Sequence, residues 1–142
     1  MKRNFSAHWK ASKQPRKQRK YCINAPQHIK HKFLSANLNK ELRKKYKRRS
    51  FSLIKGDSVV IMRGEFKKKS GKIGVVDTRR MRVSIEGIQK DKRDGTKVNV
   101  WFSPSKLQVK ELKLEDKKRI EALQRTTKNL KTEEKENVSK KK

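Results

Sequence analysis

The sequence predicts a small, mainly β domain: an antiparallel barrel with short flanking helices and extended basic extensions at its ends. Three observations point there. Apolar–polar alternation, the two-residue period of a half-buried strand, recurs between residues 58 and 109, broken repeatedly by turn-forming residues. Residues 1–50 carry 17 bases and 1 acid, residues 51–109 carry 14 and 6, and residues 110–142 carry 12 and 7. These amount to +16, +8 and +5 of a formal +29, so the middle is the segment balanced enough to close around a core. Finally, 40% of the 142 residues are charged and only 31% are hydrophobic, so most of the chain cannot be core. The expected organisation is a basic extended arm over 1–24, short basic helices over 25–50, the barrel over 51–110, a helix over 111–125 and a flexible charged tail over 126–142.

Each element follows from local chemistry. Residues 1–23 mix bases with Gln14, Pro15, Gln18 and the scattered aromatics Phe5, Trp9 and Tyr21. That is too little apolar surface to offset the entropy of ordering, so the arm is expected to be disordered on its own. Pro26 can open a short helix with Ile29 and Phe33 one turn apart, and a second helix is expected over residues 39–46, with Leu38, Leu42 and Tyr46 in register. Strands are expected around Val59 and Ile61, around Ile73 and Val75, around Val83 and Ile85, and around Val98, Val100 and Phe102, with a last short one over 107–109. Turn chemistry separates them: Gly56 and Asp57, Gly64, Ser70 and Gly71, Asp94 and Gly95, then Pro104. The glycines, Gly87 included, read as backbone devices, and Asp57 and Asp94 as turn formers. Five strands without room for crossover helices fit a closed barrel, which removes exposed edges. In the tail, Glu115 and Asp116 favour a helix start, with Ile120 and Leu123 one turn apart.

The composition also excludes. The longest apolar run, residues 59–62, is four residues against the roughly 18 needed to span a bilayer. Met1, Lys2 and Arg3 precede no apolar signal segment, so no secretory targeting is expected. The acid-free first forty residues would also suit an organellar transit peptide, but eight Lys to three Arg is the wrong balance. Cys22, the single cysteine, has no internal disulfide partner, and with His8, His28 and His31 it lacks zinc spacing. A reducing compartment, no metal and no cofactor are expected. No nucleophile, base and acid converge on structured elements, so no enzyme is expected, and the loop from Gly64 to Gly71 lacks the Gly-Lys-Ser/Thr ending of a phosphate-binding nest.

A surplus of this size repels itself until an anion neutralises it, so the expected partner is a polyanion. If the polyanion is a nucleic acid, Lys and Arg neutralise its phosphates with a salt slope of about 0.7 to 0.9 per contact, and selectivity has to come from its shape. In the arm the candidates are Arg3, Lys13, Arg16, Lys17, Arg19 and Lys20, with Trp9 stacking on an unpaired base or on a neighbouring protein. On the first helix they are His28, Lys30 and Lys32; on the basic face of the second they are Lys40, Arg43, Lys44 and Lys47, followed by Arg48 and Arg49. Arg79, Arg80 and Arg82 suit bidentate phosphate contacts, or form a solvated turn. Phe33, Tyr46 and Phe102 read as packing residues, Trp101 as either an outer cover of the barrel or an RNA contact, and Phe66 as either a stacking tip or a loop anchor.

The run Lys55, Gly56, Asp57, Ser58, Val59, Val60, Ile61, Met62, Arg63, Gly64, then Phe66, Lys67, Gly71, Lys72, Ile73, Gly74, Val75 and Val76 resembles a KOW motif. The motif is a two-strand unit with a basic loop, found in RNA-associated SH3-like barrels. Around it stand Asn24, Ala25, Pro26, His28 and Ile29; Lys40, Glu41, Leu42, Arg43, Lys45, Tyr46, Arg49 and Ser50; and Gly95, Thr96, Val98, Val100, Pro104, Ser105, Lys106, Leu112, Lys113 and Leu114. That order, over residues 12 to 125, resembles the eukaryotic and archaeal L26 family of large-subunit ribosomal proteins, counterpart of bacterial L24. The resemblance implies an SH3-like barrel and a structural protein that binds large-subunit ribosomal RNA near the polypeptide exit tunnel and supports early assembly. It implies that Arg63, Lys67, Lys68, Lys69 and Lys72 line the RNA side of the loop. The implied partners are ribosomal RNA and neighbouring large-subunit proteins, with the signal recognition particle and the translocon as candidate transient contacts and no stable homo-oligomer. The implied location is the cytoplasmic ribosome, with nuclear or nucleolar assembly in a eukaryote. One departure stands out: the family usually has glycine where this chain has Lys68. The rival readings are a general nucleic-acid-binding protein, a transcription-associated KOW protein and an organellar member of the same family.

Overall fold

A computed structural model describes Phe5, Ser6, His8, Trp9 and residues 12–125. Arg3 and the tail expected over 126–142 lie outside the described residues. The element order is α1 (Pro15–Asn24), α2 (Gln27–Phe33), β1 (Ser35–Leu38), α3 (Lys40–Tyr46), β2 (Ser50–Ser52), β3 (Ser58–Ile61), β4 (Ser70–Asp77), β5 (Arg82–Asp91), β6 (Lys97–Phe102), a 3-10 turn (Pro104–Lys106) and β7 (Leu107–Glu111). A last helix occupies residues 117–125. The domain is mainly β, a small barrel-type fold of the SH3-like kind, built on one seven-stranded sheet in the order β2-β1-β7-β3-β4-β5-β6.

The five expected strands are present as β3 to β7. Two more, β1 and β2, were not expected. β1 is only four residues long, and it is fixed by parallel pairing of Asn37 with Gln108 and Leu38 with Val109, so the sheet is mixed rather than purely antiparallel. Leu38 therefore belongs to β1, where Ala36 and Leu38, with Leu34 just before the strand, keep a two-residue period of burial, and not to the stripe of α3. α3 starts where expected: the Asn39 side chain accepts from the backbone N–H of Lys40 at 2.7 Å, and the helix closes on Lys47 in the left-handed region.

The pairing shifts register at three places, between β3 and β7 at Ser58, between β4 and β5 after Ile73, and between β5 and β6 after Ser84. β5 pairs with β6 at Ser84–Trp101 and next at Gln89–Asn99, so extra β5 residues are accommodated in a bulge that contains Gly87 at φ 77°. β4 crosses β5 so closely that a Cβ on Gly71 would lie 2.6 Å from Ile85 Cγ2 and 3.0 Å from the Glu86 carbonyl. Gly71 thus permits a close strand approach; it is a β4 residue rather than a turn former. Bending lets one face enclose a core of Leu34, Leu38, Val59, Ile61, Ile73, Val83, Ile85, Leu107 and Val109, all at 2% exposure or less.

The arm differs most from expectation. Pro15–Asn24 is helical, with proline in the first turn, and Gln18 Nε2 donates to the Ser12 carbonyl at 2.7 Å. The scattered aromatics pool their surfaces: Tyr21 stacks on Trp9 with centroids 4.2 Å apart, and it also meets Phe5 at 4.8 Å and Phe33 at 6.0 Å. No single ring had a core to enter, but together they shelter one another and each is half-buried.

Asp57 does more than shape a turn. It is fully buried; its Oδ1 accepts from Lys113 N and Arg119 Nη1, and its Oδ2 from Ile54 N and Arg119 Nη2, at 2.7 to 3.0 Å. Arg119, in the last helix, also donates to the carbonyls of Lys113 and Ser52 and lies over Phe51 at 5.3 Å. With the fully buried Leu123, it clamps that helix onto the barrel. Asp94 keeps its expected role: side-chain and backbone hydrogen bonds from Thr96 fix the turn and hold its carboxyl below the usual aspartate value.

Candidate nucleic-acid interface

The loop between β3 and β4 is a rigid platform for cations. Backbone bonds close it in steps: Lys67 N donates to Gly64 O, Lys68 N to Ile61 O, Lys69 N to Phe66 O, and Ile61 N back to Lys69 O, all between 2.8 and 3.1 Å. Phe66 is the anchor, edge-on to Phe102 at 6.0 Å, with Lys69 Nζ 5.2 Å above its ring. Arg63, Lys67, Lys68, Lys69 and Lys72 are all exposed. Lys68 sits at φ 71°, the left-handed conformation that glycine adopts without strain, so the loop keeps its turn although this chain carries lysine there.

A second cationic group lies at the turn between β4 and β5. Asp77 Oδ1 accepts from Arg80 N at 3.0 Å, and Met81 takes φ 54°, which sets Arg79, Arg80 and Arg82 outward. The α1 face formed by Pro15, Gln18, Arg19, Cys22 and Ile23, the i, i+3, i+4, i+7, i+8 set of one helix side, stands across from them. Between the two runs a groove of about 820 Å³. Nothing in the sequence singled out Ile23 and Met81 as its apolar lining, because the two elements meet only in the fold.

The remaining candidates are dispersed. Lys13, Arg16, Lys17 and Lys20 are exposed on or beside α1; His28 and Lys32 on α2; and Lys40, Lys44, Lys47 and Arg49 on or after α3. Lys30 is half-buried. Two arginines are engaged by the protein itself: Arg43 Nε donates to Leu38 O at 2.7 Å, and Arg48 Nη1 donates to Ala122 O at 2.8 Å while lying over Phe51. Trp9 has one face against Tyr21. Trp101 lies on the outer sheet face, where it and Val75 flank the buried Ser84, and remains 41% exposed. Among the described residues no cluster of His, Cys, Asp or Glu could hold a metal ion, and no helix is long and apolar enough to cross a membrane.

Residues 12–126 match the family model of ribosomal proteins L26 of eukaryotes and L24 of archaea. The chain belongs to this ribosomal protein family. Among its relatives, the large ribosomal subunit protein uL24 of Sulfolobus acidocaldarius is 44% identical over 117 residues, 82% of this chain and 87% of that protein. The uL24 of Methanosphaera stadtmanae is 44% identical over 114 residues, 80% of this chain and 97% of the relative. That of Methanospirillum hungatei is 46% identical over 112 residues, 79% and 93% of the two chains. The L26-family match takes in α1, the barrel and the described residues of the last helix, so the clamp between Asp57 and Arg119 lies within the family region.

Proposed function

We propose that this chain is a structural constituent of the large ribosomal subunit, in the cytoplasmic ribosome, and holds large-subunit ribosomal RNA by phosphate and shape contacts. The single observation that carries the molecular reading is the β3–β4 loop: consecutive lysines 67 to 69, flanked by Arg63 and Lys72, on a turn pinned by Phe66. A flexible basic tail would neutralise any polyanion, whereas cations at fixed separations favour one arrangement of phosphates over others. The role is architectural rather than catalytic: the barrel aims charges, and α1 and α3 add exposed bases around it. Membership of the family favours a seat near the polypeptide exit tunnel and a part in subunit assembly, with neighbouring subunit proteins as stable partners and the signal recognition particle and translocon as transient ones.

The experiment is replacement of Lys67, Lys68, Lys69 and Lys72 together by glutamate, followed by crosslinking and sequencing of bound RNA. Incorporation into large subunits should fall sharply while the circular dichroism of the free protein stays unchanged. Unchanged incorporation would remove the loop from the interface.

A further inference from the structure

We infer that the groove between α1 and the β4–β5 turn captures a single unstacked nucleotide of the bound RNA, its phosphate on the arginines and its base on the apolar wall. The inference rests on the RNA-binding reading above and deepens it. The groove's chemistry is divided. Arg19 from one side and Arg79, Arg80 and Arg82 from the other supply four guanidiniums, and no acid lines it. Between them lie Met81, itself packed partly against the core, and Ile23, which is 71% exposed.

Phosphate alone explains the arginines but not the apolar residues. A paired duplex presents phosphates and sugars to a protein surface and keeps its base faces inside the stack, so it has nothing to place on Ile23 or Met81. An extruded base has an apolar face and an adjoining phosphate, and guanidinium planes also stack on bases. The volume of about 820 Å³ lies within the roughly 300–1,000 Å³ of sites that enclose small molecules. The site is preset on the barrel side: Met81 is held in the left-handed region and Arg80 is tied to Asp77, so the turn need not order itself on binding.

Cys22 also lines this groove and is the chain's single cysteine, which makes it a reporter. The full-length protein is titrated with two RNA duplexes of equal length, one perfectly paired and one carrying a single bulged nucleotide, and reaction of Cys22 with a maleimide is followed. The bulged RNA should bind roughly tenfold tighter than the paired one and should protect Cys22, whereas the paired RNA should leave it reactive. Ile23→Gln, at an exposed helical position, should abolish the preference without changing the salt slope. Arg79→Gln with Arg80→Gln should lower that slope by about 0.7 to 0.9 per lost contact. Salt-sensitive binding of both RNAs with equal affinity and an open Cys22 would overturn the captured nucleotide while leaving RNA binding intact. Failure of the protein to retain either RNA would overturn both.

Discussion

At the scale of single residues, the Asp57–Arg119 pair governs stability. Both side chains are at least nine-tenths buried, and Asp57 receives four hydrogen bonds. Asp57→Ala would strand a buried guanidinium, one whose Nε already has no partner among the described residues, and should cost about 3–5 kcal/mol in urea unfolding. A double variant, Asp57→Ala with Arg119→Leu, should be less destabilised than Asp57→Ala alone, because it removes the stranded charge. The same magnitude of loss in both would show that packing rather than charge sets the cost. Lys68 offers the opposite test. Relief of its left-handed backbone conformation, worth about 1–2 kcal/mol, outweighs glycine's extra chain entropy of about 0.5–1 kcal/mol, so Lys68→Gly should raise the melting temperature slightly. The same change should reduce the salt slope of RNA binding by about one contact.

At the scale of elements, the last helix is a strap across the barrel, held by Arg119, by buried Leu123 and by the Ala122 carbonyl that receives Arg48. Truncation after Asp116 should expose Asp57 and the core beneath it, with a loss at least as large as that of Asp57→Ala, read by the same unfolding titration. What the sequence disclosed depended on how local the cause was. β3 to β7 were legible because alternation is written into adjacent residues, and α2 and α3 because Pro26 and Asn39 mark their starts. β1 and β2 were not: Leu38 read as part of a helical stripe with Leu42 and Tyr46, which hid its alternation with Leu34 and Ala36, and both strands are fixed by pairing with β7 and with each other. The clamp joins residues 62 apart, so Asp57 looked like an ordinary turn former beside Gly56. The loop lysines were legible as cations, and Phe66 read as either a stacking tip or their anchor; its edge-on contact with Phe102, made only in the fold, decides for the anchor. The groove beside α1 was invisible for a related reason: its halves are far apart in sequence, and α1 itself was expected to lack structure.

At the scale of the whole molecule, a net charge of +29 sets two opposite responses to salt. Added salt screens self-repulsion, so the melting temperature of the free protein should rise with ionic strength, while its affinity for RNA should fall steeply as counterion release loses its advantage. A melting temperature that falls with salt would mean that specific ion pairs outweigh the general surplus. Few ion pairs stand against it: among the described residues, Lys90–Glu65 and Lys113–Glu115 are surface contacts, and only Arg119–Asp57 is buried. The small barrel is therefore best viewed as a frame that keeps an excess of positive charge in fixed places until RNA neutralises it.

The most direct test of that view is sedimentation of the tagged, full-length chain from cell extract through a gradient at moderate salt. One copy per large subunit, retained after the wash and lost when the four loop lysines become glutamates, is the predicted result. Recovery in the free fractions, or equal retention of the glutamate variant, would contradict it.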